Sequence, residues 1–185
     1  EECVRYLAEG GDFSESVKAE VATALGHIER AVGKKFGDTA NQLLVSVRSG
    51  ARVSMPGMMD TVLNLGLNDQ TVKGLAESSG DDRFAWDSYR RFIQMYSDVV
   101  LGIDHHLFED ALEIAKEDNG YYADVEMQAE DWQKLVKEYE GIVQAELGRP
   151  FPQDPTEQLW GAIRAVFDSW DSDRAKVYRK LNDIP

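Results

Sequence analysis

Hydrophobic residues recur three or four positions apart over most of the chain, and this spacing predicts a mainly α-helical protein. The strongest helix is predicted over Phe84–Leu101, where one wide apolar face includes Tyr89, Phe92 and Tyr96. A wide aromatic stripe of this kind is typical of a core helix, so it carries no cofactor prediction. Further helices are predicted over Glu1–Leu7, Asn68–Ser79, Leu107–Asp118, Ala129–Leu147 and Arg174–Leu181.

Residues suited to helix ends support these assignments. Ser14 is a good N-cap for a helix that Gly33 can end. The apolar face of this predicted helix consists of Val17, Val21, Leu25, Ile28 and Val32. Asp154-Pro155-Thr156-Glu157 combines an N-cap aspartate with a proline at the first helical position. It predicts a helix that continues through Trp170.

Leu43–Arg48 differs from its surroundings because its side chains alternate. Leu44, Ser46 and Arg48 would point one way in an extended chain, and Leu43, Val45 and Val47 the other. The β-branched residues and the following Ser49-Gly50 predict a short strand. Ser54-Met55-Pro56-Gly57 then gives a turn signal. Met58–Leu65 is predicted to be a short helix closed by Gly66.

The strand, Arg48 and the loop after it together suggest a phosphate site, because phosphate binding needs a fixed guanidinium and free backbone N–H groups. On the residues alone, however, a strand that ends in Arg-Ser-Gly is more often an ordinary strand end with a solvated arginine. Neither G-x-x-x-x-G-K-[ST] nor G-x-G-x-x-G occurs in the chain, so neither common nucleotide loop is predicted.

Composition narrows the possible partners. The net charge is −14 and the pI is about 4.6, which opposes nonspecific binding to nucleic acid and to anionic membranes. No apolar run is long enough to span a bilayer. Cys3 is the only cysteine, so no internal disulfide can form and an intracellular protein is expected.

The region from Asp104 to Glu140 is strongly acidic, with twelve carboxylates against three lysines, a net charge of −9. We interpret it as a solvated acidic face. His105 and His106 are adjacent, so on a helix they should diverge by about 100° and not share an ion. The acids also lack calcium-loop spacing, and no metal site is predicted. The residues expected to face inward in its two helices are Leu107, Phe108, Leu112, Ile114, Trp132, Leu135, Val136, Tyr139, Ile142 and Val143.

Three blocks of sequence resemble one enzyme family. They are LLVSVRSGARVSMPGMMDTVLNLGLND from Leu43, DSYRRFIQMYSDVV from Asp87, and AVFDSWDSDRAKVYRKLNDIP from Ala165. Together they are similar to the nucleotide-binding region of pyruvate, phosphate dikinase. The sister family, phosphoenolpyruvate synthase, looks similar around the arginine, but Gly50 and Ser54–Thr61 favour the dikinase.

The resemblance implies a function and a set of site residues. The dikinase converts ATP, phosphate and pyruvate to AMP, pyrophosphate and phosphoenolpyruvate through a carrier histidine, and this segment would serve the ATP half-reaction. Arg48 would bind an ATP phosphate. The candidates for a loop that covers the phosphates are Ser54, Gly57, Met58, Met59, Asp60 and Thr61. Magnesium would accompany ATP, with its ligands outside this segment. None of His27, His105 and His106 lies in the family's phosphohistidine motif, so no catalytic residue is predicted here.

The resemblance also implies an architecture. Residues 1–69 with about 151–185 would form part of an ATP-grasp-like lobe, and about 70–150 a helical insertion subdomain. The partners would be ATP or AMP and the phosphohistidine domain of the same, homodimeric, full-length protein, in the cytoplasm or an organellar matrix. The isolated segment would be inactive. Two alternatives are a segment of a phosphoenolpyruvate-synthase-like water dikinase and a non-catalytic acidic interaction module.

Overall fold

The structure is a computed structural model that describes residues 2–50, 53 and 55–184. Within these residues the chain forms eight α-helices, one 3₁₀ turn and four short strands, which confirms a mainly α-helical fold with a small β element. The helices are α1 (Glu2–Ala8), α2 (Glu15–Val32), α3 (Thr71–Ser79), α4 (Asp82–Val99), α5 (His106–Asn119), α6 (Ala129–Leu147), α7 (Pro155–Ser169) and α8 (Asp173–Leu181). The strands are β1 (Lys35–Phe36), β2 (Gln42–Leu43), β3 (Val45–Arg48) and β4 (Thr61–Leu65). Glu1, where the first predicted helix would start, lies outside the described residues.

The predicted helix caps are present. The Ser14 hydroxyl accepts a hydrogen bond from the Val17 amide at 3.4 Å, and Gly33 ends α2 in the left-handed conformation. The Asp154 carboxylate accepts from the Thr156 amide at 2.8 Å, directly before Pro155. These signals are local, which is why the sequence alone places them correctly.

The segment Met58–Leu65 is not the helix that its spacing predicts. Residues Thr61–Leu65 form β4, which pairs antiparallel with β3 in the register Val45↔Leu65, Val47↔Val62 and Arg48↔Thr61. A bulge between the first two pairs places Asn64 at φ 57°. The extra residue brings both Val62 and Leu65 into the core, so a strand acquires the three-residue spacing of a helix.

The predicted strand Leu43–Arg48 is divided in two. Gln42 and Leu43 pair in parallel with β1, and Val45–Arg48 pair with β4. Gly66, predicted as a helix terminator, instead follows β4 with φ 104°. An added Cβ there would lie 3.0 Å from the Phe36 ring and 3.2 Å from the Leu43 carbonyl oxygen, so only glycine fits this crossing.

One cluster of buried side chains joins the β3–β4 hairpin to the helices. Helix α4 is at its centre and packs against α3, α6 and β4. The largest fully buried side chains are Trp132, Tyr89, Tyr96, Tyr139, Phe92, Phe108 and Phe151. The division into a lobe and an inserted helical subdomain stays a prediction, and this shared core lies across its proposed boundary.

Some predicted inward faces are open to solvent. Helix α2 has no buried residue, and Ile28 and Val32 are 41% and 55% exposed. Leu107 and Ile114 of α5 are exposed as well, whereas Phe108 and Leu112 are buried as predicted. In the described part of the chain, no helix has both the length and the apolarity that a membrane crossing requires.

Candidate phosphate-binding site

Arg48 is the last residue of β3 and its side chain is exposed. It lies directly opposite Thr61, the first residue of β4. Side chains at paired positions of an antiparallel ladder share a face of the sheet, with Cβ atoms about 4.5–5.5 Å apart. The guanidinium of Arg48 and the hydroxyl of Thr61 therefore belong to one outward-facing surface.

The hairpin is fixed from its other face. Val45 and Val47 pack against the core, while Ser46 and Arg48 alternate with them and face outward. Val62, the partner of Val47, is fully buried, and α7 contacts both strands. Arg48 is thus an exposed cation at the end of a rigid strand.

The loop between the strands carries the other predicted site residues. Met55 is buried, and its carbonyl oxygen accepts a hydrogen bond from the Met58 amide at 3.1 Å, closing a turn. Gly57 in this turn is exposed and has φ 72°, where glycine is favoured. Met58 and Met59 are half-buried. Ser54, also predicted for this loop, lies outside the described residues.

Asp60 is held by two residues that the sequence did not point to. Its carboxylate pairs with Arg174 of α8, and its amide donates to the Ser169 hydroxyl of α7 at 3.1 Å. Arg174 also donates from Nε to the Met58 carbonyl oxygen at 3.1 Å. Both partners are more than a hundred residues away along the chain, and no local signal marks them. The pairing with Arg174 neutralises the one carboxylate of the predicted loop.

The surface around Arg48 suits an anion. Among the described residues, no carboxylate forms a salt bridge with Arg48, whereas Asp60 already has its cation. A guanidinium without a carboxylate partner can offer two parallel N–H donors to a phosphate. Thr61 adds a hydroxyl on the same face.

A nearby concavity is less suitable. It has a volume of about 620 Å³ and lies between α7 and the end of α4, with Asp60 at its edge. Its charged lining consists of three acids and two arginines, namely Asp60, Glu157, Asp168, Arg149 and Arg164. Arg149 pairs with Glu157, so this lining provides little positive potential for a polyphosphate.

The chain therefore belongs, by its fold and site, to the class of mainly α-helical segments with a candidate anion-binding surface. That surface consists of an exposed arginine fixed at a hairpin end and the adjacent Pro-Gly loop, which α7 and α8 hold in place. Comparison with known proteins identifies the family. Residues 1–185 match the family described as "Pyruvate phosphate dikinase, AMP/ATP-binding domain", and the chain belongs to it.

Individual relatives agree with this assignment. The chain is 55% identical over 183 residues to "Pyruvate, phosphate dikinase" of Rhizobium meliloti (strain 1021). The aligned region covers 99% of the chain and 20% of that protein. It is 50% identical to the protein of the same name from Clostridium symbiosum, over 100% of the chain and 21% of that protein. It is 51% identical to "Pyruvate, phosphate dikinase 1, chloroplastic" of Arabidopsis thaliana, with 100% and 19% covered. The chain thus spans about a fifth of the length of these relatives.

Proposed function

We propose that this chain is the segment of a pyruvate, phosphate dikinase that holds the phosphates of ATP while a carrier histidine, elsewhere in a longer protein, is phosphorylated. The observation that carries the proposal is Arg48, an exposed guanidinium without a described carboxylate partner at the end of a strand fixed to the core. Family membership supports the nucleotide as the ligand. In this proposal the chain is part of an ATP-grasp-like lobe, and the nucleotide lies between it and a second lobe.

The proposed chemistry is positioning and charge stabilisation. Phosphoryl transfer spreads negative charge over the phosphate oxygens, so a fixed bidentate cation lowers the barrier without forming a covalent bond. Arg48 would supply that cation, and the backbone of the Met55–Met58 turn would lie over the phosphates. Magnesium, when bound with ATP, would neutralise further phosphate charge. Because Asp60 is paired with Arg174, we propose that the magnesium ligands lie outside this chain.

The partners follow from the same proposal. A phosphohistidine domain of the same longer protein would approach Arg48 to receive the phosphoryl group, and that protein would be a homodimer. The relatives include chloroplastic proteins, so we propose the cytoplasm or an organellar matrix as its location.

The isolated chain should bind Mg-ATP weakly and transfer no phosphoryl group. Micromolar affinity corresponds to about 8 kcal/mol, whereas one charge-assisted hydrogen bond contributes about 1.5–3 kcal/mol. The Arg48 face is exposed, so water also screens the phosphate charge there. Calorimetric titration should give a dissociation constant weaker than about 1 mM. Micromolar binding that Arg48→Ala abolishes would show that these residues contain a complete site.

The decisive experiment changes Arg48 to alanine in the longer protein. Transfer of phosphate from ATP to the carrier histidine should fall by about 10- to 150-fold for each charge-assisted hydrogen bond lost. The half-reaction that starts from phosphoenolpyruvate should keep its rate, because its site lies elsewhere. Arg30→Ala, an exposed arginine on α2, is the matched control and should leave both half-reactions intact. An unchanged ATP half-reaction in Arg48→Ala, or an equal loss of both, would contradict the assignment.

A further inference from the structure

The start of α5 brings two imidazole rings and a carboxylate together. The sequence predicts that His105 and His106 diverge, but their ring centroids lie only 4.2 Å apart, with 33° between the ring planes. His105 immediately precedes α5 and His106 is its first residue. No preceding turn of helix restricts their rotamers there, so the two side chains can converge.

Potential metal-binding atoms in this group are close to one another. One ligand atom from each of Asp104, His105 and His106 lies within 4.8 Å of the other two. The Asp104 Oδ1 atom is 3.8 Å from Nδ1 of His105. Ligand atoms around a tetrahedral zinc ion are about 3.3–3.6 Å apart, given metal–ligand bonds of about 2.0–2.2 Å. Small rotations of these exposed side chains would close the difference.

A second carboxylate borders the group. Glu109, one turn into α5, places Oε2 3.4 Å from Nδ1 of His106 and 3.8 Å from Nε2 of His105. His105 therefore lies between two carboxylates, an arrangement in which one acid can share the ion and the other can orient the ring. Asp104 also accepts a hydrogen bond from the His106 amide at 3.0 Å, which fixes its position beside the rings.

Local charge favours a cation despite the helix end. The amino terminus of α5 carries a partial positive charge that opposes cation binding. The carboxylates of Asp104 and Glu109 outweigh it, and they belong to a region with a net charge of −9. Paired imidazole nitrogens select borderline metals such as Zn²⁺, Co²⁺ or Ni²⁺ over Mg²⁺ and Ca²⁺, which prefer oxygen ligands.

We propose that Asp104, His105 and His106, with Glu109 as a supporting carboxylate, bind one divalent transition-metal ion. The site is separate from the Arg48 surface and does not depend on the nucleotide proposal. Because its ligands are exposed, the ion would bind reversibly to the folded chain and would not be needed for folding.

The third histidine of the chain, His27, is an internal control for zinc binding, because it is exposed on α2 and lies outside the proposed site. Titration with zinc chloride should show one ion bound per chain with micromolar affinity. His105→Gln and His106→Gln should each weaken binding by about tenfold or more, as expected for loss of a ligand. His27→Gln should bind as the unchanged protein does. A millimolar excess of magnesium chloride should not displace the zinc.

A spectroscopic measurement identifies the ligands independently. Substoichiometric Co²⁺ should broaden the imidazole proton signals of His105 and His106 in NMR spectra and leave those of His27 sharp. Circular dichroism of each variant should match the unchanged protein, since the substituted side chains are exposed. Equal zinc affinity in all three glutamine variants, equal broadening of all three histidines, or no saturation below about 1 mM zinc would overturn the proposal.

Discussion

Arg174 donates a hydrogen bond from Nε to the backbone carbonyl oxygen of Met58 at 3.1 Å, across 116 residues of sequence. The same guanidinium pairs with the Asp60 carboxylate. One side chain of α8 thus holds two of the residues predicted to cover a phosphate. The position of this loop therefore depends on α8, which lies more than a hundred residues further along the chain.

Arg174→Gln should loosen the loop without unfolding the chain. Glutamine cannot keep both the ion pair and the carbonyl contact, so amide hydrogen exchange over residues 55–60 should become faster, while exchange in α4 stays slow. Lys176→Gln is the matched control, because Lys176 pairs with Asp171 and not with the loop. Unchanged exchange in Arg174→Gln would mean that Ser169 and the buried Met55 hold the loop without it.

Thr61→Val tests whether the residue opposite Arg48 contributes to nucleotide binding. Valine keeps the β-branched shape, so the hairpin should form as before. Losing one neutral hydrogen bond of about 0.5–1.5 kcal/mol would raise the KM for ATP in the longer protein by about 2- to 12-fold. Thr61→Ser, which keeps the hydroxyl, should restore it. A KM that rises equally in both variants would indicate a change in the strand rather than loss of the hydroxyl.

Gly74→Ala should destabilise the fold because α3 lies directly against the chain at Thr39. An added Cβ would meet the Thr39 carbonyl oxygen at 1.6 Å, so backbone must move. We expect the free energy of unfolding, measured in urea, to fall by about 1–3 kcal/mol. Gly141→Ala in α6 has open space around the new methyl group and should gain about 0.5–1 kcal/mol from helix propensity. Equal effects of the two changes would refute the close contact at Gly74.

The side chain of Gln158 joins two stretches of backbone, at residues 66–67 and at Pro152, and the stability of the fold should depend on it as well. It is fully buried, accepts from the Gly66 amide at 3.0 Å, and donates to the carbonyl oxygens of Leu67 at 2.9 Å and Pro152 at 2.8 Å. Gln158→Leu would leave these groups unpaired, at about 1–3 kcal/mol for each. The free energy of unfolding should therefore fall by at least about 2 kcal/mol. Exposed Gln144→Leu should change it by less than about 0.5 kcal/mol.

Glu140 gives the fold a dependence on pH. Burial raises the pKa of its carboxyl above the ordinary value of 4.5, against the opposing effect of Lys137, whose Nζ lies 2.7 Å away. The folded state therefore holds this proton more tightly than the unfolded state, and stability falls as pH rises from about 4.5 through the raised pKa. Glu140→Gln removes this loss.

The free energy of unfolding of Glu140→Gln minus that of the unchanged chain should consequently be more positive at pH 7 than at pH 4, which means that the variant gains stability relative to the unchanged chain as pH rises. Lys137→Gln should steepen the fall in stability, because it removes a cation that lowers the pKa of Glu140. Urea titrations at the two pH values measure both effects. A Glu140→Gln difference that is the same at both values would contradict the raised pKa.

The sequence predicts those features that neighbouring residues determine. The Ser14 and Asp154 caps and the buried face of α4 are examples, because cap and face residues act within a few positions of each other. The resemblance likewise identified the family that the whole-chain match shows. By contrast, β4 escaped prediction because the bulge at Asn64 gives its core residues helical spacing.

Contacts between distant parts of the chain were beyond sequence reasoning for a different reason. Arg174 looks like any arginine in a first helical turn, and only the packing of α8 brings it to Met58 and Asp60. The convergence of His105 and His106 depends on the exact residue at which α5 begins. Sequence patterns place helix ends only to within a few residues, so they do not predict this convergence. The role of Arg48 stays a prediction until its variants are measured.

The bulge at Asn64 has a consequence for how this site can vary among relatives. Arg48 and Thr61 are brought opposite each other by the strand register, which Val47, Val62 and Leu65 fix from the core side. The loop that connects the two strands does not set that register. Residues can therefore be inserted or deleted in the loop without moving the arginine away from its threonine. Removing the extra residue at the bulge would shorten the spacing of Val62 and Leu65 from three to two, which is the regular period of a strand, so Thr61 would still lie opposite Arg48. A relative that lacks the bulge residue should therefore keep the same arginine–threonine pair.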